Sequence, residues 1–527
     1  MKVIESIASP RSFRQTLLAM LGLCFVLIMV ALDQTVVGTA LPTVVAEFNG
    51  FGLYAWVGTS YLLTSVITVP IFGKLGDEYG RKPFVIIAII LFTLASMLCG
   101  MAQSMIQLVL ARALQGIGGG MLMATSFACI PDLFPDSHER LRWQVLFSTA
   151  FGLANAIGPS LGGFLTEYWG WRWVFFVNLP VGIVSLGFIW YFLPRIRQSE
   201  HPPLRMDWFG SLLLAVTLGC LQLLVEWLPQ NKSALVLIAM GSVGAISGIT
   251  LIWWEHRCEN PLLPLSMFKH NIIGPVFALS LMMGFCLFAI MYYAPLMFQG
   301  GFGLSPNQAG LLVTPLAVFI TVGSIINGRI MTRLNSPNMV LYAGIGFFWI
   351  SALAMTQATM TTSHTMIVVA MALGGLGLGL LLPNLTLIVQ ASAERTQLGV
   401  ATAMLQSMRM VGSMMGAALI GSIISTRYIS KVNDMLVANH SSQLASWLND
   451  PQILFNHERV AKFLCVVSLP RQDAINFLAG ARNSLVSAIH DSQWFIVVFV
   501  VLAFWLAFRI PVINIHGRTK NLEAENQ

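Results

Sequence analysis

The stretch "LIMVALDQTVVGTALP" (Leu27–Pro42) holds a single charge, Asp33, among uncharged residues. A carboxylate at the middle of an apolar span costs at least ~2.5–3.5 kcal/mol, so it must face a cavity or a partner, or be protonated. Burial raises a carboxyl pKa and a nearby cation lowers it. A carboxyl whose surroundings alternate can therefore load a proton on one side and release it on the other. Asp33 is thus a candidate for binding a proton or a cationic substrate; the alternative is a hydrogen-bond anchor inside a helix bundle. Gln34 and Thr35 add polar capacity beside it.

A second charge of this kind is Arg112, in "LVLARALQGIGGG" (108–120). Gln115 and Gly116 follow one turn later, so the three share a helix face. A buried guanidinium needs an anion or carbonyl oxygens, and Asp33 is the acidic candidate. Arg112 then either modulates Asp33 or clamps the backbone. "GKLGDEYGRKP" (73–83) places Gly73, Gly76 and Gly80 where a tight reversal needs them, with Asp77, Arg81 and Lys82 free to pair across to another helix end. It reads equally as a charged latch or as a solvated basic loop. "GLANAIGPSLGG" (152–163) sets Gly158 and Pro159 inside an apolar run, with Gly162 one turn on. Proline there kinks a helix, either to shape a gate or to improve packing. Candidates for substrate contact are Gln34, Gln115, Glu226, and Tyr292 and Tyr293, which follow Met282, Met283 and Phe285 in one Met- and aromatic-rich run. Such side chains can repack around apolar ligands or hold organic cations. Arg409, in "LQSMRMVGSMMGAAL" (405–419), is read as snorkelling to the inner face.

The elements that would position these groups are membrane spans. Of 527 residues, 56% are hydrophobic and 10% charged, against about 25% charged in soluble chains. The apolar residues cluster in runs of about 20, the length of a helix across a bilayer. Fourteen candidate spans fall near 17–41, 54–73, 83–102, 105–130, 143–166, 173–193, 208–227, 235–254, 274–298, 309–331, 339–358, 366–390, 399–424 and 492–511. The first, basic and then apolar, is read as an uncleaved helix, being too long for a signal segment. With both termini placed in the cytoplasm, 19 of the 29 Lys and Arg residues lie inside and only Arg172 and Lys232 in short outer loops. That asymmetry sets the expected orientation. The net charge of +7 therefore marks the inner membrane face and not a nucleic-acid partner. Seven scattered cysteines show no metal-ligand spacing, and neither a metal site nor a disulfide framework is expected.

The chain also repeats. "ALQGIGGG" (113–120) returns as "ALGGLGLG" (372–379), and "GKLGDEYGRK" (73–82) has a degraded partner in "GRIMTRLNSP" (328–337), where Thr332 replaces the acid. Offsets of 259 and 255 residues keep both pairs at one depth, as in a parallel duplication. The expected division is a six-helix half at 1–200, two inserted helices at 201–270, and a second six-helix half at 271–527 with a long external loop at 426–490. No nucleotide-binding P-loop or hydrolase motif occurs. The chain is therefore read as no enzyme, with an ion gradient in place of a cofactor.

Together "LDQTVVGTALP" (32–42), "GKLGDEYGRKP", "RALQGIGGG" (112–120) and "GPSLGG" (158–163) resemble successive motifs of drug:proton antiporters of the major facilitator superfamily. "WRWVFFVNLP" (171–180), "DWFG" (207–210) and "PLLPLSMF" (261–268) are similar to its fourteen-helix multidrug branch. The resemblance implies an all-α major facilitator fold of fourteen transmembrane helices in a bacterial plasma (inner) membrane. It implies that Asp33 is the proton-coupling acid and Arg112 its partner. Gly73, Asp77, Gly80 and Arg81 would belong to the cytoplasmic latch, and Gly158, Pro159 and Gly162 to the antiporter motif. The function implied is proton-driven export of amphipathic or cationic small molecules; the alternative is a dedicated exporter of one metabolite such as a siderophore or polyamine. The long outer loop, where Ile475, Leu478, Leu485 and Ile489 fall near one helical face, either caps the exit or docks a periplasmic adaptor.

Overall fold

The computed structural model describes residues 13–134, 137–194, 207–227, 233–258, 261, 265–331, 338–393, 398–466 and 470–511. Thr332 lies outside these residues, as does the side chain of Asp77. Every regular element described is helical. The first half comprises α1 (Phe13–Phe48), α2 (Tyr54–Tyr79), α3 (Arg81–Gly100), α4 (Met105–Leu133), α5 (Ser137–Tyr168), the single turn α6 (Trp173–Phe176) and α7 (Asn178–Phe192). The inserted hairpin is α8 (Trp208–Trp227) and α9 (Ala234–Glu255). The second half is α10 (Ile273–Leu296), α11 (Pro306–Met331), α12 (Asn338–Thr356), α13 (His364–Ser392) and α14 (Leu398–Ala438), then the short α15 (Ala445–Leu448) and α16 (His457–Val466), then α17 (Arg471–Ala507). Among the described residues, thirteen segments are long and apolar enough to cross a membrane. The long helix outside that set is α5, whose first turns carry Glu139, Arg140 and Arg142.

Local chemistry sets the boundaries. Gly80 has φ +87°, a conformation that favours glycine, and turns the chain between α2 and α3. Ser104 and Ser363 accept from the backbone N–H groups of Gln107 and Met366 and so cap α4 and α13. The glycine repeats do the same job in both halves. On α4, Gly118 meets the backbone of Phe92 in α3, while Gly116 and Gly120 meet the backbone of α2 at Tyr61 and Ser65. On α13, Gly375 and Gly379 meet α11 at Leu316 and Ile320, and Gly377 meets α12 at Phe348. No side chain fits at these crossings, so the helices approach backbone to backbone.

The halves meet along two seams, α5 with α11 and α2 with α14, and α1 also touches α10. One continuous apolar core joins them at the end away from the basic loops; it includes Val36–Val45 positions of α1 and Met291–Phe298 positions of α10. At the basic end the first half keeps a separate core that takes in Met410, Val411 and Met414 of the second half, with Leu281, Phe288 and Met415 packed against it. The inserted hairpin lies at the edge, with α8 against α14 and α2. On α9, Leu235 and Ile249 face outward at 76% and 68% exposure, as lipid-facing residues do.

Two sequence expectations change. Much of the stretch read as a loop (426–490) is helix, because α14 and α17 run on past the expected membrane boundary and bind each other there. Lys431 pairs with Asp491 at 3.0 Å and donates to Ser487 at 2.6 Å. Leu485 and Ile489 are buried on this extension, whereas Ile475 is exposed. Secondly, Met283 and Phe285 do not line a pocket: α10 is covered on almost every side, and Phe285 stacks on Phe499 of α17 at 4.1 Å.

Candidate functional site

Asp33 sits in the interior of the first half, held by three donors from two other helices, α4 and α7. Arg112 of α4 donates from Nη1 to Asp33 Oδ2 at 2.6 Å, with both side chains fully buried. Gln115, one turn along α4, donates from Nε2 to Asp33 Oδ1 at 2.7 Å. Asn178, the first residue of α7, donates from Nδ2 to Oδ1 at 3.2 Å and to Ser96 Oγ of α3 at 3.0 Å. Ser96 in turn donates to the Phe175 carbonyl of α6. The guanidinium is fixed further by Nε donating to the Val57 carbonyl at 3.1 Å, by Gln115 Oε1 at 2.8 Å, and by the Tyr61 ring 4.4 Å below it. Asp33 and Arg112 thus form a buried ion pair with most hydrogen-bonding capacity used. Arg112 Nη2, Tyr61 Oη and Asn178 Oδ1 are buried without a hydrogen-bond partner among the described residues.

Chemically, this arrangement ties a proton to a position. Neutralising Asp33 leaves a buried cation without its counter-charge, which costs several kcal/mol unless the guanidinium moves or finds another anion. From the other half Tyr292 of α10 approaches, its phenol facing Arg112. The Tyr292 ring lies on Gly58, where an added Cβ would come within 2.5 Å of it. Its carbonyl accepts from Tyr54 Oη at 2.8 Å.

The other sequence candidates fall elsewhere. Gln34 is half-buried beside Tyr61. Tyr293 donates to the Ala417 carbonyl of α14 at 2.5 Å and stacks on Tyr54, so it binds the seam and not the ion pair. Glu226 is buried at the far end of α8, beside the contact where Ser422 of α14 donates to the Val225 carbonyl at 3.3 Å. Gly158 and Gly162 lie against Thr35 and Thr39 of α1, while Pro159 and Gly163 lie against Gly310 and Pro306 of the α11 region. The antiporter segment is therefore squeezed between α1 and the second half. In the latch segment, Lys74 donates to the Pro261 carbonyl and Lys82 to the Trp190 carbonyl, both at 2.7 Å. Gly73 has open space around it, and Arg81 follows the turn at Gly80.

Sequence reasoning missed Asn178, Ser96, Tyr61 and Tyr54. Asn178 had a visible signal, as the lone amide in "WRWVFFVNLP". The tyrosines had none, because their roles depend on which helix faces them. Gln299 was also missed; it lies in a π-turn (Met297–Gly301) and donates to the Thr39 carbonyl at 2.8 Å across the halves.

Residues 23–417 match the sequence profile of the Major Facilitator Superfamily. The chain belongs to that superfamily. It is 31% identical to the multidrug transporter protein MdtP of Bacillus subtilis (strain 168), over 96% of this chain and 94% of the relative. It is 32% identical to multidrug resistance protein 3 of the same organism, over 84% of this chain and 86% of the relative. Among solved structures, a bacterial homologue of the human lysosomal transporter Spinster, in an inward-facing and occupied conformation, superposes with a TM-score of 0.63 at 15% identity, covering 94% of this chain and 97% of that one. A D-xylose–proton symporter superposes with a TM-score of 0.56 at 16% identity, covering 87% and 98%. These two likenesses support the fold. The protein is a multi-pass membrane transporter.

Proposed function

We propose that this facilitator is a proton-driven exporter of amphipathic small molecules, cationic ones included, working by alternating access in a bacterial plasma membrane. The observation that carries the reading is the buried Asp33 carboxylate, held by Arg112, Gln115 and Asn178 inside the first half. The multidrug names of its relatives support export of varied substrates. A proton arriving at Asp33 releases Arg112, and Arg112 faces Tyr292 of the second half. The protonation state is thereby felt at the contact between halves, where rocking would occur. No cofactor enters the cycle, and the proton gradient is its drive.

The test is ethidium efflux from energised vesicles at a fixed proton gradient, comparing the wild type with Asp33→Asn. Active efflux that disappears in the variant is the expected result. Equal efflux in both would remove Asp33 from the coupling step. Absence of efflux in both would refute the broad substrate range and favour a dedicated metabolite exporter.

A further inference from the structure

Resting on that reading, we infer that Arg409 is an anion-binding residue of the transport crevice, and that it takes the carboxylate, sulfonate or phosphate of an amphipathic molecule. Arg409 lies eleven residues into α14, about 16 Å from that helix end at 1.5 Å per residue. That is too deep for the side chain to snorkel to the membrane face. Its depth can be fixed against Asp33. Gly38 of α1 abuts the Met291 carbonyl of α10, and Gly284 of α10 abuts the backbone of Arg409. Counting back five residues along α1 and seven along α10 leaves Asp33 and Arg409 within about 3 Å of one another in depth.

The direction of the side chain follows from its neighbours. On one side α10 covers α14, because Gly412 lies on Leu281 and Ser413 donates to the Gly284 carbonyl at 3.3 Å. On the other side the next residue, Met410, enters the apolar core of the first half together with Met414. Arg409 shares the α10-facing side of α14 with Gly412 and Ser413, one position before Met410 at the first half. Its side chain is half-buried there.

The two intramembrane arginines differ in their partners. Arg112 has a carboxylate, a carbonyl, an amide and an aromatic face. Arg409 makes no hydrogen bond or ion pair among the described residues, and no neighbouring charge offsets its burial. A guanidinium held without a counter-charge in this setting is a standing cost, and a ligand anion would remove it. The planar fork suits carboxylate, sulfonate and phosphate groups. Asp33 is already paired with Arg112, so among the described residues Arg409 is the uncompensated positive charge at this depth and favours an anion.

The experiment is equilibrium dialysis of 1-pyrenesulfonate and of ethidium against the full-length protein in phosphatidylcholine nanodiscs, corrected with empty discs. Arg409→Gln should weaken pyrenesulfonate binding about ten- to hundredfold, the range for a lost charged hydrogen bond. Ethidium binding should not weaken, and Arg409→Lys, which keeps the charge but not the fork, should lose less pyrenesulfonate affinity than Arg409→Gln. Repeating the measurement with phosphatidylglycerol in the discs separates the sources: competition that needs Arg409 assigns the anion to a lipid headgroup, and its absence assigns it to the free amphipath. Unchanged pyrenesulfonate affinity in Arg409→Gln, or an equal loss for both probes, would overturn the inference. Binding needs no gradient, so this result stands or falls separately from the efflux of Asp33→Asn.

Discussion

The Asp33–Arg112 pair makes a prediction that can be worked through as a double-mutant cycle. Both side chains are fully buried and 2.6 Å apart. Arg112→Met removes the cation and leaves the carboxylate with only the amides of Gln115 and Asn178. Breaking one partner of a buried pair costs about 3–5 kcal/mol. Asp33→Asn is milder, because the guanidinium keeps the Val57 carbonyl, the Gln115 oxygen and the Tyr61 ring; a lost charged hydrogen bond costs about 1.5–3 kcal/mol. The double variant buries no charge, and such replacements are often neutral or stabilising. The singles should therefore sum to roughly 4–8 kcal/mol while the double stays near the wild type, a coupling of at least about 3 kcal/mol. The assay is reversible unfolding in mixed micelles followed by tryptophan fluorescence. Additivity within about 0.5 kcal/mol would show that the two residues do not act as a pair and would refute the reasoning.

Two further outcomes follow from the packing. Gly158→Val should place a Cβ inside the van der Waals envelope of Thr35 Oγ1; the overpacking is expected to cost about 1–3 kcal/mol and to lower efflux, whereas Gly187→Val, at a glycine with open space around it, should change neither. A cysteine pair replacing Ala46 and Asn456, which meet through a 3.0 Å hydrogen bond, should cross-link in a background carrying Cys465→Ser. Transport should stop on oxidation and return with reductant; full transport by the cross-linked protein would mean that this end need not open.

Much of the architecture was readable in the chain because a bilayer leaves few options. Twenty apolar residues must be helix, since no water satisfies the backbone there. Each of the fourteen expected spans overlaps a long helix among the described residues, thirteen of them long and apolar enough to cross a membrane, and the two glycine stretches mark the same crossings in each half. Asp33 and Arg112 stood out because charge inside such a span is rare. What the chain did not reveal depends on facing. Tyr292 and Tyr293 are adjacent in sequence, yet one faces Arg112 and the other the Ala417 carbonyl. Asn178 approaches Asp33 only because α7 returns alongside α1 and α3. The helical extensions of α14 and α17 were hidden by their polarity, since composition marks the membrane boundary and not the end of a helix.

The contacts that close the end away from the basic loops indicate how alternation can be affordable in energy. Among the described residues, that end is bridged by Tyr54 to the Tyr292 carbonyl at 2.8 Å and by Gln299 to the Thr39 carbonyl at 2.8 Å. The Asn307 N–H to Glu167 at 3.0 Å and Asn456 to the Ala46 carbonyl at 3.0 Å add two more, and Ser160 with Thr314 follows further along the α5–α11 seam. Water can take the place of each partner when the end opens, so each bond contributes only about 0.5–1.5 kcal/mol net. Where backbones touch, the residues are Gly38, Gly163 and Gly310, which leave no side chain to be exposed on parting. Four such bonds hold the end shut by roughly 2–6 kcal/mol. About 5.5 kcal/mol is enough to turn a 1:99 population into 99:1. Losing the Asp33 charge from its buried pair, worth about 1.5–3 kcal/mol as in Asp33→Asn, is of the order of the energy that holds that end shut. One proton at that site is therefore of the right size to reverse the balance between a closed and an open outer end, provided that its effect is transmitted through Arg112 and Tyr292.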